Sequence, residues 1–160
     1  MIKIREYDES DACILRAIFY HTVRNVNIRD YSQEQVEAWA PDVFDSEIWQ
    51  KRMNLMLPFV AEINGEIVGY ADLQENGLID HFFCHHEHQR KGIGQSLMEH
   101  ALTVGKQQGV SKFYSKVSIT ARPFYEKHGF KVIQEKIVEV RGQKLHNFIM
   151  EKLSKPLAKK

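Results

Sequence analysis

The stretch Phe82-Phe-Cys-His-His-Glu-His-Gln-Arg-Lys-Gly-Ile-Gly-Gln-Ser-Leu-Met-Glu-His-Ala-Leu102 decides how this chain folds. Its first residues are apolar and β-prone, which predicts a strand. A polar loop follows and ends in Gln89-Arg90-Lys91-Gly92-Ile93-Gly94. Ile93, Leu97 and Ala101 then recur at helical spacing, so a helix begins at once. Glycines in such a turn let backbone N–H groups approach an anion closely, and a helix N-terminus adds partial positive charge. Strand, turn and helix together predict a phosphate cradle, strengthened by Arg90 and Lys91. No Gly-Lys-Ser/Thr follows at the spacing of a P-loop. Only Gly92 and Gly94 are present, so the three-glycine dinucleotide fingerprint is absent too.

A second segment runs Ser118-Ile-Thr-Ala-Arg-Pro-Phe-Tyr-Glu-Lys-His-Gly-Phe130. Ala121 through His128 reads as a short helix, with Thr120 as N-cap and Gly129 as C-cap. Pro123 falls in its first turn, where a missing N–H costs little. Phe130 opens the next strand. The two segments together resemble the GNAT superfamily of N-acetyltransferases. Gln89 to Gly94 is similar to that family's Q/R-x-x-G-x-G/A motif. Ser118 to Phe130 is similar to its N-x-x-A-x-x-F-Y-E-K-x-G-F element, with Ser118 where Asn is usual. The resemblance covers residues 57 to 151 well and the rest loosely.

The resemblance implies a mixed α/β fold, with a mostly antiparallel central sheet flanked by helices and acetyl-CoA at the strand–loop–helix turn. The pyrophosphate would lie on Gln89, Arg90, Lys91, Gly92, Ile93, Gly94 and Gln95. The backbones of Phe82 and Cys84, with Phe83 between them, would pair with the pantetheine arm like an added strand. Ser118 and Phe124 would complete the cofactor contacts, although serine reaches less far than asparagine. The backbone N–H of Cys84 would polarise the thioester carbonyl. Tyr125 would serve the leaving thiolate.

Length and composition fit this picture. A chain of 160 residues suits one domain over residues 1–153. The hydrophobic fraction of 43% is ordinary for a soluble globular protein. A net charge of +1 gives no electrostatic footprint for nucleic acid. No apolar run approaches the ~18 residues of a membrane span, and Met1-Ile-Lys does not begin a signal peptide. Cys13 and Cys84 are too few for a disulfide framework, so a reducing cytoplasm is the simplest location. Residues 154–160 read as a flexible basic tail.

The elements alternate along the chain. Ile2 to Arg5 reads as a strand and Asp8 to Val26 as an amphipathic helix. Ser32-Gln-Glu-Gln35 has capping-box form and starts a helix that ends before Pro41. Asp45 to Leu55 is a third helical piece. Leu57–Ile63 and Glu66–Leu73 form a hairpin around Asn64-Gly65. Leu78 to Cys84 reads as one strand, Gly92 to Gln108 as the main helix and Lys112 to Val117 as a strand. Phe130–Val140 and Lys144–Lys152 close the sheet around Arg141-Gly142.

An amine must be neutral to attack a thioester, yet a lysine-type amine has a pKa of about 10.4. A base is therefore expected. Strand alternation over Leu78–Cys84 groups Asp80 with Phe82 and Cys84 and sets His81 and Phe83 on the other face. That favours Asp80 as the base, with Glu62 and His21 as remoter candidates, and leaves His81 as an acceptor contact. The Cys84 thiol as a nucleophile is the rival reading, but an adjacent histidine on a strand points to the other face. His81, His85, His86 and His88 with Glu87 fit no established zinc spacing, so no metal is expected.

Acceptor choice is expected in the segment from Asp30 to Trp49. It holds Asp30, Glu34, Glu37, Asp42, Asp45 and Glu47 and no Lys or Arg, with Tyr31, Trp39, Phe44 and Trp49 interleaved. Such a wall suits a small cationic amine. Two other classes stay open at this point: a non-catalytic acyl-CoA sensor, and nucleotide binding at the same cradle. The final strand pair allows either a monomer or a homodimer.

Overall fold

The computed structural model describes residues 1–154, so the predicted tail lies outside the described residues from position 155 onward. The chain begins with β1 (Ile2–Glu6), then α1 (Ala12–Asn25), α2 (Gln33–Trp39) and α3 (Ser46–Met56). Next come β2 (Phe59–Ile63), β3 (Glu66–Ala71), β4 (Leu78–Ile79), β5 (Phe82–Cys84) and α4 (Ile93–Gln107). It finishes with β6 (Lys112–Ser118), α5 (Arg122–Lys127), β7 (Lys131–Val140) and β8 (Gln143–Leu153).

Local chemistry accounts for most boundaries. The Ser32 side chain accepts the Gln35 N–H while the Gln35 side chain accepts the Ser32 N–H, a complete capping box on α2. Asn64 and Gly65 both adopt positive φ, at 51° and 82°, as the β2–β3 hairpin turn requires. Ahead of α1 the first turn is a 3-10 segment from Glu9 to Asp11, capped by Asp8.

The described strands form two four-stranded sheets, in the orders β1-β2-β3-β5 and β4-β6-β8-β7. All pairings are antiparallel except β4 with β6. Helix α4 covers one face of the first sheet, packing Ile93 and Leu97 on Ala61, Val68 and Ala71. Its Met98 belongs to the core of the second sheet, with Phe113, Phe148 and Met150. Helices α1, α2 and α3 cover the opposite face, where Leu15, Val23, Val36 and Met53 join Val60 and Tyr70. On the apolar side of these helices, Ile14 of α1 is exposed and Val104 of α4 half-buried.

The main departure concerns Leu78–Cys84. It is not one strand but two, and they belong to different sheets. The cause is Asp72, fully buried at the end of β3. One carboxylate oxygen of Asp72 accepts the N–H groups of both Asp80 and His81, at 2.7 and 2.8 Å. Two successive amides drawn to one acceptor break the strand's alternation. β4 therefore pairs with β6 through Ile79 and Ser115, whereas β5 leaves β6 and pairs with β3. A cleft opens between β5 and β6.

Candidate active site

The cleft continues into a cavity of about 1090 Å³ that runs from the start of α4 to the loop between α2 and α3. Its cofactor-side wall begins at Gly92. This residue is the N-cap of α4, with φ of 81°, and no side chain caps the helix. The first intrahelical bond runs from Ser96 N–H to Gly92 C=O, so the earlier amides of the turn are unpaired within the helix. Arg90 and Lys91 are exposed beside them. Glycine at position 92 is explained by its left-handed backbone. Gly94 has a different reason: a Cβ there would lie 3.1 Å from the Phe124 ring and 3.6 Å from Cys84 Sγ. Its smallness admits α5 and β5 rather than an anion.

The other predicted cofactor residues divide. The Ile93 side chain is core, so only its backbone faces the cradle. The Gln95 amide bonds Glu99, and the Gln89 amide donates to Cys84 O and His85 O, which ties the loop to β5. Ser118 accepts the Ala121 N–H at 3.0 Å and so closes the turn that leads into α5, whose N-cap is Ala121 with no side-chain cap. This corrects the assignment of the N-cap to Thr120, whose hydroxyl is buried without a hydrogen-bond partner among the described residues. Phe82 faces Phe124 and Tyr125, with ring centroids 5.3 and 6.0 Å apart. Phe83 points to the other side, edge-on to Phe19 at 5.1 Å.

The edge of β5 is the central geometric feature. His85 N–H donates to Val68 O and Asp72 N–H to His81 O. Hydrogen-bonded pairs with β3 therefore fall on His81, Phe83 and His85. Antiparallel alternation then turns the amides of Phe82 and Cys84 away from β3, toward the cleft. The Cys84 carbonyl accepts from Thr22 and Gln89, which fixes the plane of that peptide. Its thiol is a poor nucleophile, because burial pushes its pKa up to about 12.

Tyr125 is 3% exposed, and its ring packs edge-on to Phe130 at 5.0 Å. Burial pushes its phenol pKa well above the ordinary value, so the hydroxyl keeps its proton. The Ser115 hydroxyl lies 3.4 Å away but donates to Ile79 O at 2.7 Å, so the phenol proton is not committed to a strong bond.

Asp80 and His81 both line the cavity. His81 lies on the Phe83 side of β5, with ring centroids 5.7 Å apart, as strand alternation assigns, whereas Asp80 precedes β5 and is not carried by that strand. Asp80 is exposed and ion-paired to Arg52 at 3.7 Å. Glu62 is held by Arg5 Nε at 2.9 Å across the β1–β2 pair, outside the cavity lining, and His21 is also outside it. His81 is 6% exposed, and its Nδ1 lies 3.0 Å from Tyr70 OH. Burial lowers its pKa to about 4, and the nearby Arg52 adds to the effect. A folded pKa below the unfolded value means that the unfolded chain takes up this proton first as pH falls. The stability that neutral His81 contributes is therefore complete above about 6.5 and is lost between about 6.5 and 4. Burial raises the Asp72 pKa, which acts in the opposite sense, so the comparison with a variant isolates the histidine. In thermal unfolding, wild type is expected to lose Tm more steeply than His81→Gln across that window. Parallel curves would refute the assignment.

The predicted acceptor wall is half realised. Tyr31, Trp39, Phe44 and Trp49 all line the cavity, but of the acidic residues in that segment only Asp45 does. Its carboxylate caps α3 through the Glu47 and Ile48 N–H groups. The other carboxylates are exposed on the outer face of the segment, as charges on a solvated helix surface normally are. The Tyr31 hydroxyl is fully used, donating to His146 O and accepting from Ile119 N–H. Sequence reading missed Asp72, Arg52 and Arg16. For Arg16 a signal was available: it shares the helical stripe of Ala12, Leu15 and Phe19, a charge at a core position. The histidines of the β5–α4 loop stack on one another, His85 on His86 at 4.8 Å. Among the described residues no group of three or more metal-type side chains converges.

A family model described as the acetyltransferase (GNAT) domain matches residues 27–152. The chain belongs to the GNAT acetyltransferase family. It is 33% identical over 149 residues to YafP of Escherichia coli, described as an uncharacterised N-acetyltransferase, covering 93% of this chain and 94% of that protein. A GCN5-related N-acetyltransferase structure from Rhodopseudomonas palustris superposes with a TM-score of 0.91 at 28% identity, over 95% of both chains. The fold also matches PaiA N-acetyltransferase from Thermoplasma acidophilum, solved with coenzyme A, with a TM-score of 0.73 at 22% identity. That match covers 96% of this chain and 99% of PaiA. No helix among the described residues is long and apolar enough to cross a membrane.

Proposed function

We propose that this GNAT domain, spanning residues 1–153, transfers an acetyl group from acetyl-CoA to a primary amine by direct attack in a ternary complex. The observation that carries this reading is the meeting of three features at one cleft: an uncapped α4 N-terminus, outward-turned β5 amides and the buried phenol of Tyr125. Bound acetyl-CoA supplies a thioester carbon open to an amine. The first-turn amides of α4, with Arg90 and Lys91, hold its diphosphate. The backbones of Phe82 and Cys84 align the pantetheine arm, as a strand edge does for an added strand. The Cys84 N–H is the donor for the carbonyl oxygen. Tyr125, kept protonated by burial, donates a hydrogen bond to the departing thiolate and keeps its proton. Asp80, at the cavity wall, takes the amine proton directly or through one water. The free thiols of Cys13 and Cys84 suit a reducing cytoplasm.

Thiol release from acetyl-CoA in the presence of a panel of small amines tests this function. Release that depends on both the amine and the enzyme, with an N-acetyl product found by mass spectrometry, is the expected result. Acetyl-CoA bound in calorimetry with no release from any amine would support the sensor reading instead.

A further inference from the structure

We propose that Arg16 recognises an anionic oxyacid group, such as a carboxylate, on the acceptor amine. This rests on the acetyltransferase reading and names its substrate class. Arg16 lines the same cavity from α1 and is 6% exposed. Its guanidinium carbon lies 4.1 Å from the Phe44 ring centroid, 5.1 Å from Phe19 and 5.6 Å from Trp49. One Nη2–H donates to Pro41 O at 2.7 Å. Nε is buried with no hydrogen-bond partner, and no carboxylate pairs with Arg16 among the described residues. An arginine so placed bears a desolvation cost that an aromatic cage only partly offsets.

The surroundings make the charge harder to satisfy from within the protein. Among the groups that act on Arg16 are the cations Arg141 and Arg24, the latter paired with Asp42 at 3.1 Å, and the phenols of Tyr70 and Tyr20. From α1, the segment after it, α3 and the β7–β8 turn, the cavity lining takes the cations Arg16, Arg29, Arg52 and Arg141, and its carboxylates are Asp45 and Asp80. Asp45 caps α3 and Asp80 offsets Arg52 at 3.7 Å, so Arg16, Arg29 and Arg141 are the cations of that group with no carboxylate partner among the described residues. The predicted acidic wall is thus replaced by a positive one, which attracts an anion and repels a purely cationic amine. The position is also right for an acceptor's far end. Phe19 contacts Arg16 on one side and the Phe83 ring of β5 on the other. An oxyacid at Arg16 therefore leaves the rest of a small acceptor directed toward Asp80 and the cleft.

The test compares amino acids of increasing chain length with their uncharged amides and their phosphonate counterparts. Wild type and Arg16→Met are assayed by thiol release, and acetyl-CoA affinity is followed by calorimetry. Wild type is expected to favour an acid over its amide by roughly 100-fold in kcat/KM. In Arg16→Met that preference should collapse to within about threefold while acetyl-CoA affinity is retained. Preference for carboxylate, phosphonate or both supports the proposal and identifies which oxyacid is read. Equal use of acid and amide by wild type, or a preference that survives Arg16→Met, overturns it. A binding arm is independent of turnover: thermal stabilisation of the CoA-saturated wild-type protein by acids over amides supports the anion site, and equal stabilisation overturns it. That arm also needs no folded variant. Absence of thiol release alongside acid-selective stabilisation would reject the transferase reading and keep the Arg16 site.

Discussion

Replacing Gly92 by glutamate is expected to weaken acetyl-CoA binding by roughly 100-fold or more, the loss of one or two charge-assisted hydrogen bonds plus repulsion. The backbone at Gly92 has φ of 81°, so any side chain there costs about 1–2 kcal/mol. Space is not the obstacle, since the nearest atom to a Cβ would be Ile2 Cδ1 at 3.9 Å. The glutamate carboxylate would instead sit at the α4 N-terminus, where the unpaired amides and partial positive charge attract it. It would occupy the cradle in place of a phosphate and repel the remaining ones. Gly92→Ala separates the two effects, because it carries the backbone strain without the charge. Calorimetry should show near-normal acetyl-CoA affinity in the alanine variant and loss in the glutamate variant. Equal affinity in wild type and Gly92→Glu would remove α4 from the cofactor site.

Tyr125→Phe is expected to lower kcat by roughly 100-fold, within the usual range for a positioned hydrogen-bond donor to developing charge. The affinity for acetyl-CoA should be unchanged. Phenylalanine keeps the ring that packs against Phe82, Phe124 and Phe130. Ser115 keeps its 2.7 Å bond to Ile79 O, so no buried group loses its main partner and Tm should move little. Only the interaction with the departing sulfur is removed, which acts in the transition state rather than on binding. A variant with wild-type kcat would assign Tyr125 to packing alone.

How far the sequence could be read depended on how local each cause was. The α2 capping box, the Asn64-Gly65 hairpin and the start of α4 at Gly92 each rest on residues a few positions apart, and each was legible. The cleft was not. It exists because Asp72, eight residues before Asp80 and just past the end of β3, gathers two amides that a continuous strand would have shared with its neighbours. Read as one strand, Leu78–Cys84 set His81 beside Phe83, which holds, but grouped Asp80 with Phe82 and Cys84 across the point where the pleat breaks. Thr120 reads as the α5 cap, but the bond that organises the entry to α5 comes from Ser118, two residues earlier, to the Ala121 N–H. Gly94 reads as part of the anion turn, but its contact with Phe124 comes from a helix thirty residues downstream. The acidic wall failed for a simpler reason. A run of carboxylates says nothing about which face it occupies, and here the opposite face meets the cavity.

The most direct measurement is thermal unfolding of wild type with acetyl-CoA, CoA or ATP, alongside Gly92→Glu. At a ligand concentration a hundredfold above Kd, the bound protein gains about 2.7 kcal/mol. Stabilisation by acetyl-CoA and CoA, absent in Gly92→Glu and weaker with ATP, is the predicted result. No stabilisation by either CoA species, or stabilisation by ATP alone, would contradict the account.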